Sequence, residues 1–194
     1  MSKPIAFIIG AGKRIGAGAA DALQSKGYRV ALAARSLKPE DSTSDRLLLP
    51  VDLSNTESIA PAFASLRKQW GEPSVVFYNG VNSHLQTPND PSVFLTHITA
   101  AAVHFASPSD PLSPSLADFT QDLTINTISL YAAIKESLAS FDALSDLAPK
   151  TFLYTGNILN VKPQPAFTTL GVGKTASAHI IELASVAYGE KGYK

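Results

Sequence analysis

The chain has 194 residues, 16 basic and 16 acidic side chains, no cysteine and 45% hydrophobic residues; this suits one soluble domain with a full-sized core and leaves no room for two large ones. Zero net formal charge and no basic run longer than pairs such as Lys13-Arg14 argue against nucleic acid or a membrane surface as partner, because both are bound through concentrated positive charge. No apolar stretch approaches the roughly 20 residues that span a bilayer, and no basic segment with a long apolar run opens the chain, so a cytoplasmic protein is expected; without cysteine, and with only four scattered histidines, thiolate chemistry is excluded and no metal site is expected.

Ile5 to Ile9 is a short uninterrupted apolar run ending in glycine, and Ile15, Ala19, Ala22 and Leu23 then recur at helical spacing as far as Gly27, which reads as strand, glycine turn, helix and C-cap. Val30 to Ala34 and Leu47 to Val51 predict two further buried strands, with a polar loop between them. Ser54 with Glu57 has the spacing of a capping box ahead of a helix carrying Ile59, Phe63, Leu66 and Trp70 on one face. Val75 to Tyr78 is a fourth strand. Phe119, Leu123, Leu130 and Ile134 mark a long helix with Asn126 on its apolar side, and Thr151 to Tyr154 a fifth strand. Strands alternating with helices predict an α/β doubly wound parallel sheet, a Rossmann fold of strand order 3-2-1-4-5, with its ligand crevice at the carboxyl edge.

Two regions depart from this pattern. Val81 to Leu116 holds five prolines and is long for a connection in a compact domain; a face of Phe94, Ile98, Ala101 and Phe105 fits a helix and a strand almost equally. At the other end, Lys194 follows a helix containing Ile180, Ile181, Leu183 and Ala184, where a doubly wound sheet would add a sixth strand, so either the sheet is small or the chain is truncated.

Gly10-Ala11-Gly12-Lys13-Arg14-Ile15-Gly16 lies between the first strand and helix, where backbone N–H groups and the helix dipole can face a pyrophosphate and glycine lets the ligand approach. On these residues the sequence resembles the short-chain dehydrogenase/reductase family, whose first turn runs G-x-x-x-G-x-G. Gly10, Arg14 and Gly16 fall on its three glycine positions, with arginine in the middle as in pteridine-reductase-like members. The resemblance covers nearly the whole chain. It implies that Asp52 and Leu53 receive the adenine ring, that Asn79 and Gly80 are the altered remnant of the turn after strand four, and that Asn126 and Lys174 are the family's catalytic asparagine and lysine.

An acid at the end of strand two would bond the ribose hydroxyls, whereas arginine accommodates a 2′-phosphate by charge and bidentate hydrogen bonding. This chain has Arg35 there, with Lys13 and Arg14 nearby in the first turn, and NADP(H) is the expected cofactor. The family's tyrosine, four residues before the lysine, and its serine are replaced by Leu170 and Asn157. Leucine can neither give nor take a proton, so carbonyl reduction would lose the roughly 10²–10⁴-fold that general acid catalysis contributes. Asn157 could still hydrogen-bond a carbonyl, and Lys174 could still hold the nicotinamide ribose. Alternative proton donors are Tyr154, which alternation would turn away from the crevice, and His84, His97 or His104 in the long connection.

Three functions follow: a carbonyl or alcohol oxidoreductase with a degraded catalytic motif, a pseudoenzyme that binds NADP(H) and acts by interaction or cofactor sensing, and a non-redox enzyme using the same pocket. A small-molecule substrate is expected if the protein is active, and a homo-oligomer is left open. Finally, Gly80 and Asn126 are 46 positions apart, longer than the family's connection. Within an insertion-like region of about 81–115, removing residues 81–100 would join Gly80 to Ala101-Ala102 and restore a small-residue turn. A lid over the crevice and a spurious, disordered insertion such as a translated intron both fit, the second being favoured.

Overall fold

The computed structural model describes residues 3–80 and 102–194. Among the described residues five parallel strands form one sheet: β1 (Ile5–Ile9), β2 (Arg29–Ala33), β3 (Arg46–Leu49), β4 (Val75–Tyr78) and β5 (Thr151–Tyr154), in the order β3-β2-β1-β4-β5. The expected order is thus the observed one. Its helices are α1 (Ile15–Ser25), α2 (Ile59–Gln69), α3 (Leu116–Leu123), α4 (Ser129–Ala143) and α5 (Thr168–Tyr188).

Every residue of β1 is buried, and successive side chains enter different cores. Phe7 and Ile9 pack with Phe63 and Leu66 of α2 and with Leu130 and Phe141 of α4, while Ala6 and Ile8 pack with Ala20 of α1 and with Val30 and Leu32 of β2. Burial on both faces explains why the strand reads as an unbroken apolar run rather than an alternating one. Among the described residues no helix is long and apolar enough to cross a membrane.

The structure corrects several local expectations. The supposed capping box does not form: Asn55, not Ser54, accepts from Glu57 N at 3.1 Å, and Ser54 bonds Asp52 instead. The long helix through Asn126 is interrupted. Between α3 and α4 the backbone of Thr124–Ile128 widens into a π-helical turn, a local bulge that costs ladder regularity and that recurs at functional sites. The outer edge of β5 is met by the last residue, since Lys194 N donates to Lys150 O at 2.9 Å and its carbonyl accepts from Phe152 N at 2.8 Å. Residues 81–101 lie outside the described residues, so the lid and insertion readings of that segment, and His84 and His97 within it, stay untouched. Of the four-residue face proposed there, only Phe105 is described; it packs edge-on against Phe167 at 5.4 Å.

Candidate functional site

The carboxyl ends of the strands bring together residues far apart in sequence. Gly10 N and Ala11 N both donate to Ala33 O, at 2.9 and 3.0 Å, which docks the glycine turn on the end of β2 two residues before Arg35. Ala34 in turn bonds both Leu49 and Val51, which brings Asp52 to the same edge. Gly10 has φ +85°, and a Cβ there would lie 1.9 Å from Asn79 O. At Gly16 a Cβ would lie 2.7 Å from Ala11 Cα, so both glycines permit backbone approaches that no other residue could make. α1 begins without a side-chain cap, with Gly16 buried in its first turn, while Lys13, Arg14 and Ile15 are exposed around it. Arg35 is exposed as well. Gly12 closes the turn, donating to Gly10 O and accepting from Ala17 N.

Of the two predicted adenine-side residues, Leu53 is turned inward and half-buried Asp52 is held by its neighbour. The Asp52 carboxylate accepts from Ser54 N and Oγ, and Leu53 is a core residue whose carbonyl accepts from buried Ser129 Oγ at 2.7 Å. What they offer at the edge is therefore backbone and the rim of a small carboxylate loop.

On the other side of β1, a line of hydrogen bonds runs from α5 to the glycine turn. Lys174 Nζ donates to Thr155 O at 2.8 Å, Thr155 Oγ1 donates to Asn79 Oδ1 at 2.9 Å, and Asn79 Nδ2 donates to Gly10 O at 3.0 Å. Asn79 and Lys174 are buried, and burial pushes the Lys174 ammonium down from 10.5 to about 8. Gly80 is buried against Tyr78, whose phenol donates to Ile125 O, and burial drives that phenol far above its ordinary pKa. Asn126 sits in the π turn and clasps the returning chain: Nδ2 donates to Ala102 O at 2.8 Å and Oδ1 accepts from Ala102 N at 3.2 Å. Its own carbonyl accepts from Ser177 Oγ, and Gly173 passes so close that a Cβ would lie 2.8 Å from the Asn126 Cβ.

The positions that would carry proton transfer are built differently. Leu170 is fully enclosed, packed with Val103 and Leu159. Asn157 uses its side-chain oxygen to cap its own turn, accepting from Leu159 N at 2.9 Å. Tyr154 has its hydroxyl buried without a hydrogen-bond partner among the described residues, and burial raises its pKa to about 12. His104 is committed as well, with Nδ1 3.0 Å from Oδ1 of the fully buried Asp122 and Nε2 3.4 Å from Asp118. Its backbone N–H also donates to Asp122. This dyad fastens the segment after residue 101 to α3. Periodicity could not reveal it, because a lone histidine in a loop and an aspartate on an apolar helix face signal only once they meet. We expect His104→Ala to lower stability by about 1–3 kcal/mol in urea denaturation, since Asp122 keeps the backbone bond but loses the imidazole.

Thr155 and Ser177 were also missed. Each is an ordinary hydroxyl in sequence, given meaning by the chains that pass it.

A doubly wound sheet with a glycine turn at its first crossover, a lysine on the last helix and an asparagine in a kinked helix defines a dinucleotide-binding fold. Over all 194 residues the chain is 45% identical to the short chain dehydrogenase/reductase dmxR12 of Cryptosporiopsis sp. (strain 8999), covering 75% of that protein. The chain belongs to the short-chain dehydrogenase/reductase family. Solved structures with the same fold include a 3-oxoacyl-[acyl-carrier protein] reductase from Brucella melitensis, at TM-score 0.81 and 14% identity, covering all of this chain and 73% of that one. A doubly substituted short-chain dehydrogenase/reductase from Serratia marcescens has TM-score 0.76 at 16% identity, covering all of this chain and 74% of that one. No family model matches the chain.

Proposed function

We propose that the protein binds NADP(H) across the carboxyl edge of the sheet, and that it is a nominal carbonyl or alcohol oxidoreductase whose proton-transfer machinery is degraded. The cofactor assignment is carried by one juxtaposition: the glycine turn, with exposed Lys13 and Arg14, is bonded to the end of β2 just before Arg35. A 2′-phosphate placed there meets positive charge on both sides, and arginine can bind it bidentately. The cradle suits the pyrophosphate too, because Gly10 and Gly16 let the turn pack directly on Asn79 and Ala11 with no Cβ between, and the start of α1 has no side-chain cap on its first N–H groups. Asp52 and Leu53 border the adenine side, Asn79 and Gly80 the floor, and Lys174 the nicotinamide ribose. When bound, the nicotinamide supplies or accepts a hydride. Asn126 orders the chain at Ala102.

The second reading, a cofactor-binding protein without turnover, is favoured by Leu170. An apolar side chain sealed against Val103 and Leu159 holds no proton, and Asn157 already commits its oxygen to a backbone N–H.

Titration by NADPH and NADH separates the cofactor assignment from its rival. We expect NADPH to bind at least tenfold more tightly, and Arg35→Ala to erase most of that preference; equal affinities would defeat the assignment. Turnover is read from NADPH oxidation with a panel of aldehydes and ketones. Rates near those of an intact family enzyme would show that another group supplies the proton, whereas none at all, with NADPH bound, supports the second reading.

A further inference from the structure

The Lys174 ammonium is almost wholly removed from water, which a charge tolerates only where polar contacts compensate it, and the Thr155 carbonyl is one acceptor it donates to. An aromatic ring faces it as well. Lys174 Nζ stands 4.8 Å from the centroid of Tyr154, within the range where a cation is drawn to the negative face of the ring, and a desolvated site is where that attraction is strongest. Tyr154 is adjacent in sequence to Thr155, so a single stretch of β5 and the residue after it supplies both the ring and the carbonyl. The hydroxyl of the same tyrosine meets no hydrogen-bond partner among the described residues. The contact of this side chain with Lys174 is made through the ring face and not through the hydroxyl.

We propose that Tyr154 is a positioning residue for Lys174: its ring holds the ammonium over the Thr155 carbonyl, keeps it charged, and so aims it at the cofactor. The orientation at the cofactor rests on the NADP(H) reading above; the hold on the charge does not. Among the described residues, the titratable groups beside the pair include Tyr154 itself on β5 and Tyr78 on β4, whose phenols stay neutral well above physiological pH. Around them stand the hydroxyls of Thr155 and Ser177, which donate to Asn79 and Asn126. Tyr154 thereby acts on the site through Lys174 and has no proton-transfer role.

The test keeps the shape of the side chain while removing its charge distribution. Phenylalanine and a series of increasingly fluorinated phenylalanines are placed at position 154, and Lys174 is titrated by NMR in cofactor-free protein carrying labelled lysine, its signal assigned by its loss in Lys174→Met. With phenylalanine the midpoint stays close to that of the natural protein, because the ring face is retained. Progressive fluorination then lowers it, by about one pH unit across the series. A flat series at unchanged fold overturns the proposal, as does a midpoint that moves upward. Tyr154→Leu is expected to move it in the same direction as fluorination, and if that variant fails to fold the fluorinated series still decides. NADPH affinity at pH 8 is measured in parallel, with a loss of about 3–30-fold expected along the series. A protein that never binds NADPH defeats the functional reading of the previous subsection, while the Lys174 titration continues to judge the role of Tyr154 by itself.

Discussion

Replacing Lys174 with methionine should make the protein more stable and a poorer binder of NADPH at once. The lysine is 3% exposed, and burial lowers its pKa from 10.5 to about 8. Below pH 8 both folded and unfolded chains carry the proton, and the folded state bears the full cost of a desolvated charge. Between about 8 and 10.5 the folded chain has released a proton that the unfolded chain still binds, so stability rises with pH across that window. At about 1.4 kcal/mol per pH unit the whole effect is about 3.5 kcal/mol. Methionine reaches as far, carries no charge and gives up the polar contacts of the ammonium, the bond to Thr155 O among them, leaving an expected net gain of about 1–3 kcal/mol in urea denaturation at pH 7. The rise between pH 8 and 10.5 should vanish in this variant.

Above pH 10 the sign reverses in both proteins. Tyr154 keeps its proton to about 12 and Tyr78 beyond that, whereas the unfolded chain loses tyrosine protons near 10, so stability falls again. The natural protein should therefore be most stable near pH 9–10, and a monotonic fall from pH 7 would refute this account of Lys174. With NADPH present, the order of the two proteins should invert, because only lysine gains from the ligand. We expect at least a tenfold loss of NADPH affinity in the variant.

Gly10→Ala is the opposite case, an expected loss of both fold and ligand. A residue with a Cβ costs about 1–2 kcal/mol in the left-handed conformation that Gly10 adopts. Steric contact does more damage than this: the added carbon would lie 1.9 Å from Asn79 O, a backbone atom that moves only if β4 moves. Opening that gap strains the bonds Asn79 N to Ile9 O and Asn79 Nδ2 to Gly10 O, which hold β1, β4 and the glycine turn together. We expect a total loss of about 3–5 kcal/mol and no NADPH binding. Gly18→Ala supplies the control. Its Cβ meets nothing within 4 Å, and in the interior of α1 alanine is preferred, so stability should hold or rise by about 0.5–1 kcal/mol. Equal effects at the two positions would show that crowding at Gly10 is not what governs the turn.

Much of the architecture could be read before any coordinates. Short strands buried on both faces appear as unbroken apolar runs, and a helix with one covered face shows a 3.6-residue period, so β1, β2, β4 and α2 announced themselves by local pattern, as did the half-buried edge strand β5 by its short apolar run. The glycine turn was legible for the same reason, since a strand, a string of glycines and an amphipathic helix are adjacent in the chain. Leu170 and Asn157 were singled out by the family resemblance, by counting back from Lys174, and not by any local pattern of their own.

What only the tertiary structure decided is every relation between segments whose spacing carries no period. The π turn at Thr124–Ile128 lies inside a stretch whose apolar spacing reads as continuous helix, because widening one turn leaves the pattern on either side intact. The clasp of Asn126 on Ala102, the pairing of His104 with Asp122 and the approach of Lys174 to Tyr154 join residues 18 to 24 positions apart. Hydrogen bonds and ring contacts depend on atoms meeting within a few ångströms, and a sequence fixes such meetings only through the packing of the entire sheet and its helices. The sealed state of Leu170 belongs here too. The chain names the leucine, but Val103 and Leu159 close over it only because the returning connection and the turn after β5 converge on the start of α5.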